Sequence, residues 1–293
     1  MKLNSISRMW LFFAAFNLFF CLTSHSTLAK LPPRGGEKIK AEDVIAKHLE
    51  AIGPAAVRAS IKTRRAEGTA SFLSFAVRDL RPSGPAVFTS EGKKVLLGMN
   101  FNLSDYQSER TTFDGNRVWS GYARPGVRSP LSEYLLPRKV IFQEGLLGGV
   151  LSTGWPLLDL TSTKARLEYG GIKKVDGTPA HLLRYQPKGG SDVTIRLYFD
   201  TEHFRHIQTE YEQVFAAQMG ATPDQSAQIQ TPRIKMTERF DDFSDEQGLV
   251  LPHSYKILFS PNGSTLYNWQ ITIQKVVVNE TIDSSTFQLS PGK

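Results

Sequence analysis

The residues able to do acid–base or metal chemistry are few and poorly spaced for it. The best metal candidate is His203-x-x-His206, with Glu202 and Glu210 nearby. On a strand, residues three apart point to opposite faces, so these two imidazoles do not readily share an ion. A polar strand end is the stronger reading. His253 follows Pro252 at the phase of an apolar strand face, where a satisfied, partly buried histidine is expected rather than a base. The pairs Asp241-Asp242 and Asp245-Glu246 lie in or beside an Asp-Glu-Gln-Gly turn, where acidic residues serve turn geometry and solvation. No G-x-S-x-G, H-E-x-x-H, Walker or G-x-G-x-x-G pattern occurs. A non-enzymatic chain with no metal and no cofactor is therefore expected. An unrecognised hydrolase, the less favoured alternative, would rest on His253 with Asp241 or Asp245.

Basic residues cluster at Lys62, Arg64 and Arg65 and again at Lys173-Lys174. Aromatic residues of the kind that stack bases are not interleaved with them. They read as solvated faces, with anionic head groups as a second possibility. No nucleic-acid partner is expected. Three glycosylation sequons, at Asn102, Asn262 and Asn279, matter only in a eukaryotic secretory pathway.

The first 29 residues read as a signal peptide. Lys2 and Arg8 precede an apolar run from Met9 to Leu22, and Thr27-Leu28-Ala29 is a plausible cleavage site. The run is short for a membrane span, which needs about 20 residues. Cleavage after Ala29 removes Cys21, the one cysteine, and lowers the formal charge from +7 to +5. A periplasmic or secreted protein follows, with no disulfide to staple it. Its core must hold it together, and a chain of this length can bury enough surface.

Residues 30–40 read as a flexible leader and residues 41–293 as one domain. Ala41 to Ile52 has the stripe of a helix, with Glu42 and Asp43 at its positive end and Gly53 closing it. Pro54 can open a second short helix. From about Arg64 the period becomes two. Ser71, Leu73, Phe75 and Val77 are placed on one strand face. Val193, Ile195, Leu197 and Phe199 share another, and so do Leu249, Leu251, Tyr255, Ile257 and Phe259, and Tyr267, Trp269, Ile271 and Ile273. Asp114-Gly115, Asp176-Gly177 and Asn262-Gly263 mark hairpin turns. About ten strands result, in a meander that twist should curl. Gln213 to Pro232 is expected to be an exposed loop.

The most apolar stretch of the mature chain, residues 129–160, interrupts this meander. Leu131, Tyr134 and Leu135 are spaced for one helix face, and Leu147, Val150 and Leu151 repeat the spacing. Two readings stay open: a lid or plug over a curved sheet, or the second layer of an ordinary α+β core.

Several ordered segments resemble exported proteins of the outer-membrane lipoprotein-sorting superfamily, the LolA- and LolB-like carriers. They are AEDVIAKHLEAIGPAAVRASIKTRRAEG from Ala41, FDGNRVW at Phe113 to Trp119, and KVDGTPAHLLRY at Lys174 to Tyr185. The last two are FDDFSDEQGLVLPHSYKILF from Phe240 and WQITIQKVVVNETIDSSTFQLS from Trp269. The resemblance implies a strongly curved antiparallel sheet, an incomplete β-barrel, with helices plugging its concave face. It also implies a cavity for lipid or lipoprotein acyl chains. The chain is longer than a minimal carrier, and no residue is matched to the lid arginine of the dedicated lipoprotein carrier.

Candidate lining residues, chosen by strand phase or place in the insert, are Phe75, Val77, Trp119, Leu135, Ile141, Phe142, Leu147, Trp155, Ile195, Leu197, Trp269 and Ile271. The expected protein is a monomeric carrier that binds the acyl chain of a lipid or lipoprotein, with envelope membrane proteins as further candidate partners. The alternative is an envelope scaffold with the same fold and a filled core.

Overall fold

Helix α1 (Ala41–Ile52) forms where the sequence pattern places it. Val44, Ile45, His48 and Ile52 are buried on one stripe, and the Asp43 carboxylate accepts the Lys40 backbone N–H at 2.9 Å. Gly53 ends it at φ 142°, and a Cβ there would come within 2.5 Å of the Gly248 carbonyl oxygen. Helix α2 (Ala55–Ser60) follows Pro54. These coordinates are a computed structural model that describes residues 39–75, 81–216 and 232–289. The expected signal segment, most of the expected leader, Val77 and residues 217–231 of the expected Gln213–Pro232 loop lie outside the described residues; Gln213 and Val214, assigned to that loop, are strand instead, because they pair with the strand that follows.

Residues Ile39–Lys293 group by contacts into one unit. Its strands are β1 (Thr63–Ser74), β2 (Ser83–Glu91), β3 (Lys94–Asn100), β4 (Ser108–Phe113), β5 (Val118–Ser120) and β6 (Arg166–Val175). There follow β7 (Thr178–Gln186), β8 (Val193–Asp200), β9 (His206–Val214), β10 (Arg233–Glu246), β11 (Leu249–Pro261) and β12 (Tyr267–Val278). They make one sheet of order β5-β4-β3-β2-β1-β12-β11-β10-β9-β8-β7-β6. This is two strands more than the sequence count. Neighbouring strands are antiparallel, and the first and last strands pair in the middle, Ala70 opposite Ile271 and Phe72 opposite Trp269.

The sheet is curved and does not close. Phe88 on β2 and Tyr255 on β11 have two strands between them, yet their ring centroids are 6.3 Å apart. In a flat sheet their strands would be about 14 Å apart, at roughly 4.8 Å per step. The edges are β5 and β6. On β6, Lys173 and Lys174 are exposed, as suits an unpaired edge.

The connection between the two edges is the apolar insert. It holds α3 (Pro130–Leu135), α4 (Lys139–Gln143), single 3-10 turns at Gly149–Leu151 and Pro156–Leu158, and α5 (Leu160–Thr163). Because β5 and β6 lie at opposite edges, the chain between them must cross one face of the sheet, and its buried residues put it on the concave one. Leu131, Leu135, Ile141, Phe142, Leu146, Leu147, Leu151, Trp155 and Leu157 are all exposed by 2% or less. They share one buried cluster with the inward residues of the sheet. The expected helical face at Leu147, Val150 and Leu151 is buried, but in a 3-10 turn. Gly148 and Gly149 both take positive φ there, which ends any regular helix.

The insert folds back on itself at Gly145, whose φ is 72°, and a Cβ there would lie 2.0 Å from the Gly154 carbonyl oxygen. Gly145→Ala is expected to destabilise the chain by about 2–4 kcal/mol through left-handed strain and backbone overlap. A fall in the urea midpoint measures this, and an unchanged midpoint refutes it.

Candidate functional site

The concave face and its insert form the candidate site. Most of its contacts are apolar, but polar ties also join the insert to the rest of the fold: Tyr134 donates to the Tyr211 carbonyl, Arg138 to Gln213, Thr153 to Ser90 and Gly92, and Tyr185 to Glu144, and four more involve groups buried at the concave face. At the α3 end, Ser129 caps the helix, its hydroxyl accepting the Ser132 N–H at 3.0 Å. The Ser132 hydroxyl in turn donates to the Glu109 carboxylate on β4. Tyr106 donates to the same carboxylate at 2.6 Å, and the Trp269 indole N–H donates to Tyr106 at 2.6 Å. Burial holds the Glu109 carboxyl above its ordinary range.

The second tie is at Gly148. Its backbone N–H donates to Glu238 Oε1 at 2.7 Å, and the Tyr255 and Tyr211 hydroxyls donate to the same carboxylate at 2.5 and 2.6 Å. Glu238 is fully buried on β10 between inward-facing Met236 and Phe240. Burial pushes its carboxyl up to about 7, against the pull of those three donors. The approach requires glycine, since a Cβ on Gly148 would meet the Phe88 ring at 2.2 Å and one on Gly149 would meet His206 at 2.7 Å.

In the third tie, the Arg64 guanidinium donates to the Val150 carbonyl at 2.6 Å. Arg64 is 5% exposed, and burial lowers its pKa to about 10. The sequence placed Arg64 on a solvated face; its even-numbered phase, shared with Ala66, Ala70 and Phe72, turns it inward instead.

The fourth tie runs through Trp155. Its indole N–H donates to His48 Nε2 at 3.1 Å, and the ring stacks on His206 at 4.5 Å. His48 Nδ1 lies 2.9 Å from the Phe204 carbonyl, so Nδ1 carries the proton and Nε2 accepts. That arrangement suits a neutral ring, and burial lowers the His48 pKa to about 4. The space between α1, Val150, His206 and Phe243 is about 10 Å³, room for one water at most.

Nine of the twelve candidate residues fall in the shared buried cluster: Leu135, Ile141, Phe142, Leu147, Trp155, Ile195, Leu197, Trp269 and Ile271. Phe75 does not. It is 59% exposed at the end of β1, on the face opposite Phe72, which packs on Trp269 with ring centroids 5.3 Å apart. The run Ser71–Phe75 carries aromatics on both phases, and pairing with β12 decides which turns inward. Trp119 is half-buried on β5, next to the inward Val118, with the Arg117 guanidinium 4.9 Å over its ring. Short β5 has too few residues to reveal its phase.

The other chemical candidates are dispersed. His203 is exposed in the turn before β9 while His206 is fully buried. Among the described residues no group of three or more His, Cys, Asp and Glu could hold a metal. His253 lies 2.9 Å from Ser244 Oγ and 2.8 Å from Glu246 Oε1 across the β10–β11 hairpin. An acyl-transfer site also needs donors converging on an oxyanion. Here Ser244 is exposed on a strand, opposite Leu251, and the group reads as a polar clasp on the hairpin. Asp241 is exposed at an irregularity in the same hairpin.

Sequence reasoning missed Glu109 and Glu238. Each is an acidic residue at the apolar phase of a strand, in series with Phe113 and with Met236 and Phe240 respectively, and that phase was the available signal.

Site and fold together define an unclosed antiparallel half-barrel with an edge-to-edge plug. Solved structures similar to this chain include a LolA superfamily protein from Nitrosomonas europaea, at 11% identity and a TM-score of 0.47, covering 86% of this chain and 98% of that one. A DUF1329 family protein from Desulfovibrio piger is similar at 10% and 0.46, covering 84% and 96%. A protein domain from Vibrio parahaemolyticus, described as outer-membrane lipoprotein-sorting, is similar at 11% and 0.42, covering 83% and 97%. At such identities and scores, what those proteins bind is not carried over to this chain. No protein-family model and no curated protein matches the sequence. Among the described residues no helix is long and apolar enough to cross a membrane.

Proposed function

We propose that the chain is a non-enzymatic carrier of an acyl chain, from a lipid or a lipoprotein, exported to the cell envelope. In this reading residues 129–160 are a displaceable plug. The observation that carries it is the path of the insert: one segment covers the concave face of an unclosed sheet, running from edge strand to edge strand. Such a segment can lift without breaking a strand pair. Apolar contacts and the polar ties, including those of Tyr134, Arg138, Glu144 and Thr153 to the sheet, must yield. Ile195, Leu197, Trp269 and Ile271 would then line the open face, with Leu135, Ile141, Phe142, Leu147 and Trp155 on the underside of the plug. Burial contributes about 0.8 kcal/mol per methylene, so a twelve-carbon chain offsets about 10 kcal/mol of lost plug contacts. The N-terminal segment and the motifs that resemble the lipoprotein-sorting superfamily point the same way. The protein acts as a monomer, receiving cargo from the membrane or from an envelope membrane protein and passing it on.

The completeness of packing favours a second reading, an envelope scaffold whose core stays filled. Native mass spectrometry of protein purified from its own envelope fraction separates the two. A stoichiometric adduct lost on solvent extraction, with uptake of a fluorescent fatty-acid or phospholipid probe, is the expected result. Hydrogen exchange at residues 129–160 should quicken as the probe enters. A clean apo mass with no uptake makes the protein a scaffold.

A further inference from the structure

The ties that hold the plug also say what could replace it. Glu109 and Glu238 are 1% and 0% exposed. Among the described residues neither makes an ion pair, and their partners are the Tyr106, Tyr211 and Tyr255 hydroxyls, the Ser129 and Ser132 hydroxyls and the Gly148 N–H. The tyrosines belong to the sheet or the loop before β4 and stay when the insert lifts. Ser132 and Gly148 leave with it. Each carboxylate then faces the emptied concavity without the donors of the insert and with apolar walls around it. Beside Glu109, at the next inward position of β4, Thr111 is fully buried, and its hydroxyl has no partner even in the closed state. The site thus holds an unpaired hydroxyl before the plug moves and loses the donors of the insert when it does.

Resting on the carrier reading above, we propose that the cavity selects amphiphiles with a primary-amine head group, bound at Glu109 or Glu238 where the donors of the insert now sit. A carboxylate in an apolar setting is strongly favoured by an ammonium partner and disfavoured by a second anion. An ammonium supplies three donors, enough for a carboxylate oxygen and the Thr111 hydroxyl together. Two buried cations also face the insert. Arg64 binds the Val150 carbonyl, and Arg138, on the insert itself, binds the Tyr134 carbonyl and Gln213. Neither touches Glu109 or Glu238. If Arg64 took the head group instead, the preference would reverse toward anions.

Three ligands of equal chain length decide this: dodecylamine, dodecan-1-ol and dodecanoate, each titrated at pH 7.5 against displacement of the fluorescent probe. The expected order is amine, then alcohol, then acid, with amine at least about tenfold tighter than acid. Glu109→Gln and Glu238→Gln are made separately, and at least one should shrink the amine-to-alcohol affinity ratio about tenfold. Dodecanoate binding as tightly as the amine, or a ratio unmoved in both variants, overturns the amine assignment while leaving a carrier. No binding of any of the three overturns the carrier reading and this inference with it.

Discussion

Trp155→Ala is expected to lower stability by about 3–5 kcal/mol, the range for removing a buried tryptophan. Trp155 is 1% exposed and is the point where the insert, α1 and β9 meet. Truncation opens a cavity between His206 and the insert and leaves His48 Nε2 with no donor in a dry site. Trp155→Phe keeps most of the volume and loses only the indole N–H, so its cost should fall to about 1–2 kcal/mol. Urea unfolding followed by far-UV circular dichroism measures both. A loss below about 1 kcal/mol for the alanine variant would mean that the insert is not seated on the sheet in solution. The same variant bears on the carrier reading, because a loosened plug should take up the acyl probe faster than the wild type does.

Glu238→Gln should stabilise the protein at alkaline pH and leave it nearly unchanged in acid. The folded Glu238 carboxyl titrates at about 7, against an ordinary value of 4.5. Between those limits the fold keeps a proton that the unfolded chain has released, so rising pH favours unfolding. The stabilising contribution is complete below 4.5 and lost above about 7, a difference of about 3 kcal/mol. Glutamine is close to the protonated carboxyl in shape and has no charge to desolvate. His48 acts in the opposite direction. Its folded pKa is lowered to about 4 from 6.5, so its contribution is present above 6.5 and lost as pH falls through 4. The raw pH profile therefore sums opposing effects. The difference between wild type and Glu238→Gln isolates the carboxyl and should grow by about 3 kcal/mol from pH 4.5 to 8. A flat difference would show that water reaches Glu238 and that the plug is already open.

Much of the sheet was legible because alternation is a local property. The stripes at Val193–Phe199, Leu249–Phe259 and Tyr267–Ile273 each report one buried face, and the hairpin turns between them force antiparallel neighbours. Helix α1 was legible for the same reason, with its caps and stripe lying within one segment. Where both phases are apolar, as at Ser71–Phe75, local pattern is silent, and Phe72 took the place assigned to Phe75 because Trp269 lies opposite it. The buried carboxylates were not found because a lone acid among polar and apolar residues reads as solvated until the strand's inward phase is known.

What the sequence by itself determined is the period of each segment, the position of its turns, the absence of cysteine after Cys21, and an apolar insert too greasy to stay in water. These follow from the preferences of neighbouring residues. The tertiary structure alone decided that β1 and β12 close the middle of the sheet, leaving β5 and β6 as its edges. That pairing joins residues 193 to 214 positions apart, which no local pattern can encode. From it the rest follows: a chain that passes from one edge to the other crosses a face of the sheet, its apolar residues take it over the concave one, and there it meets Glu109, Glu238, Arg64 and His48.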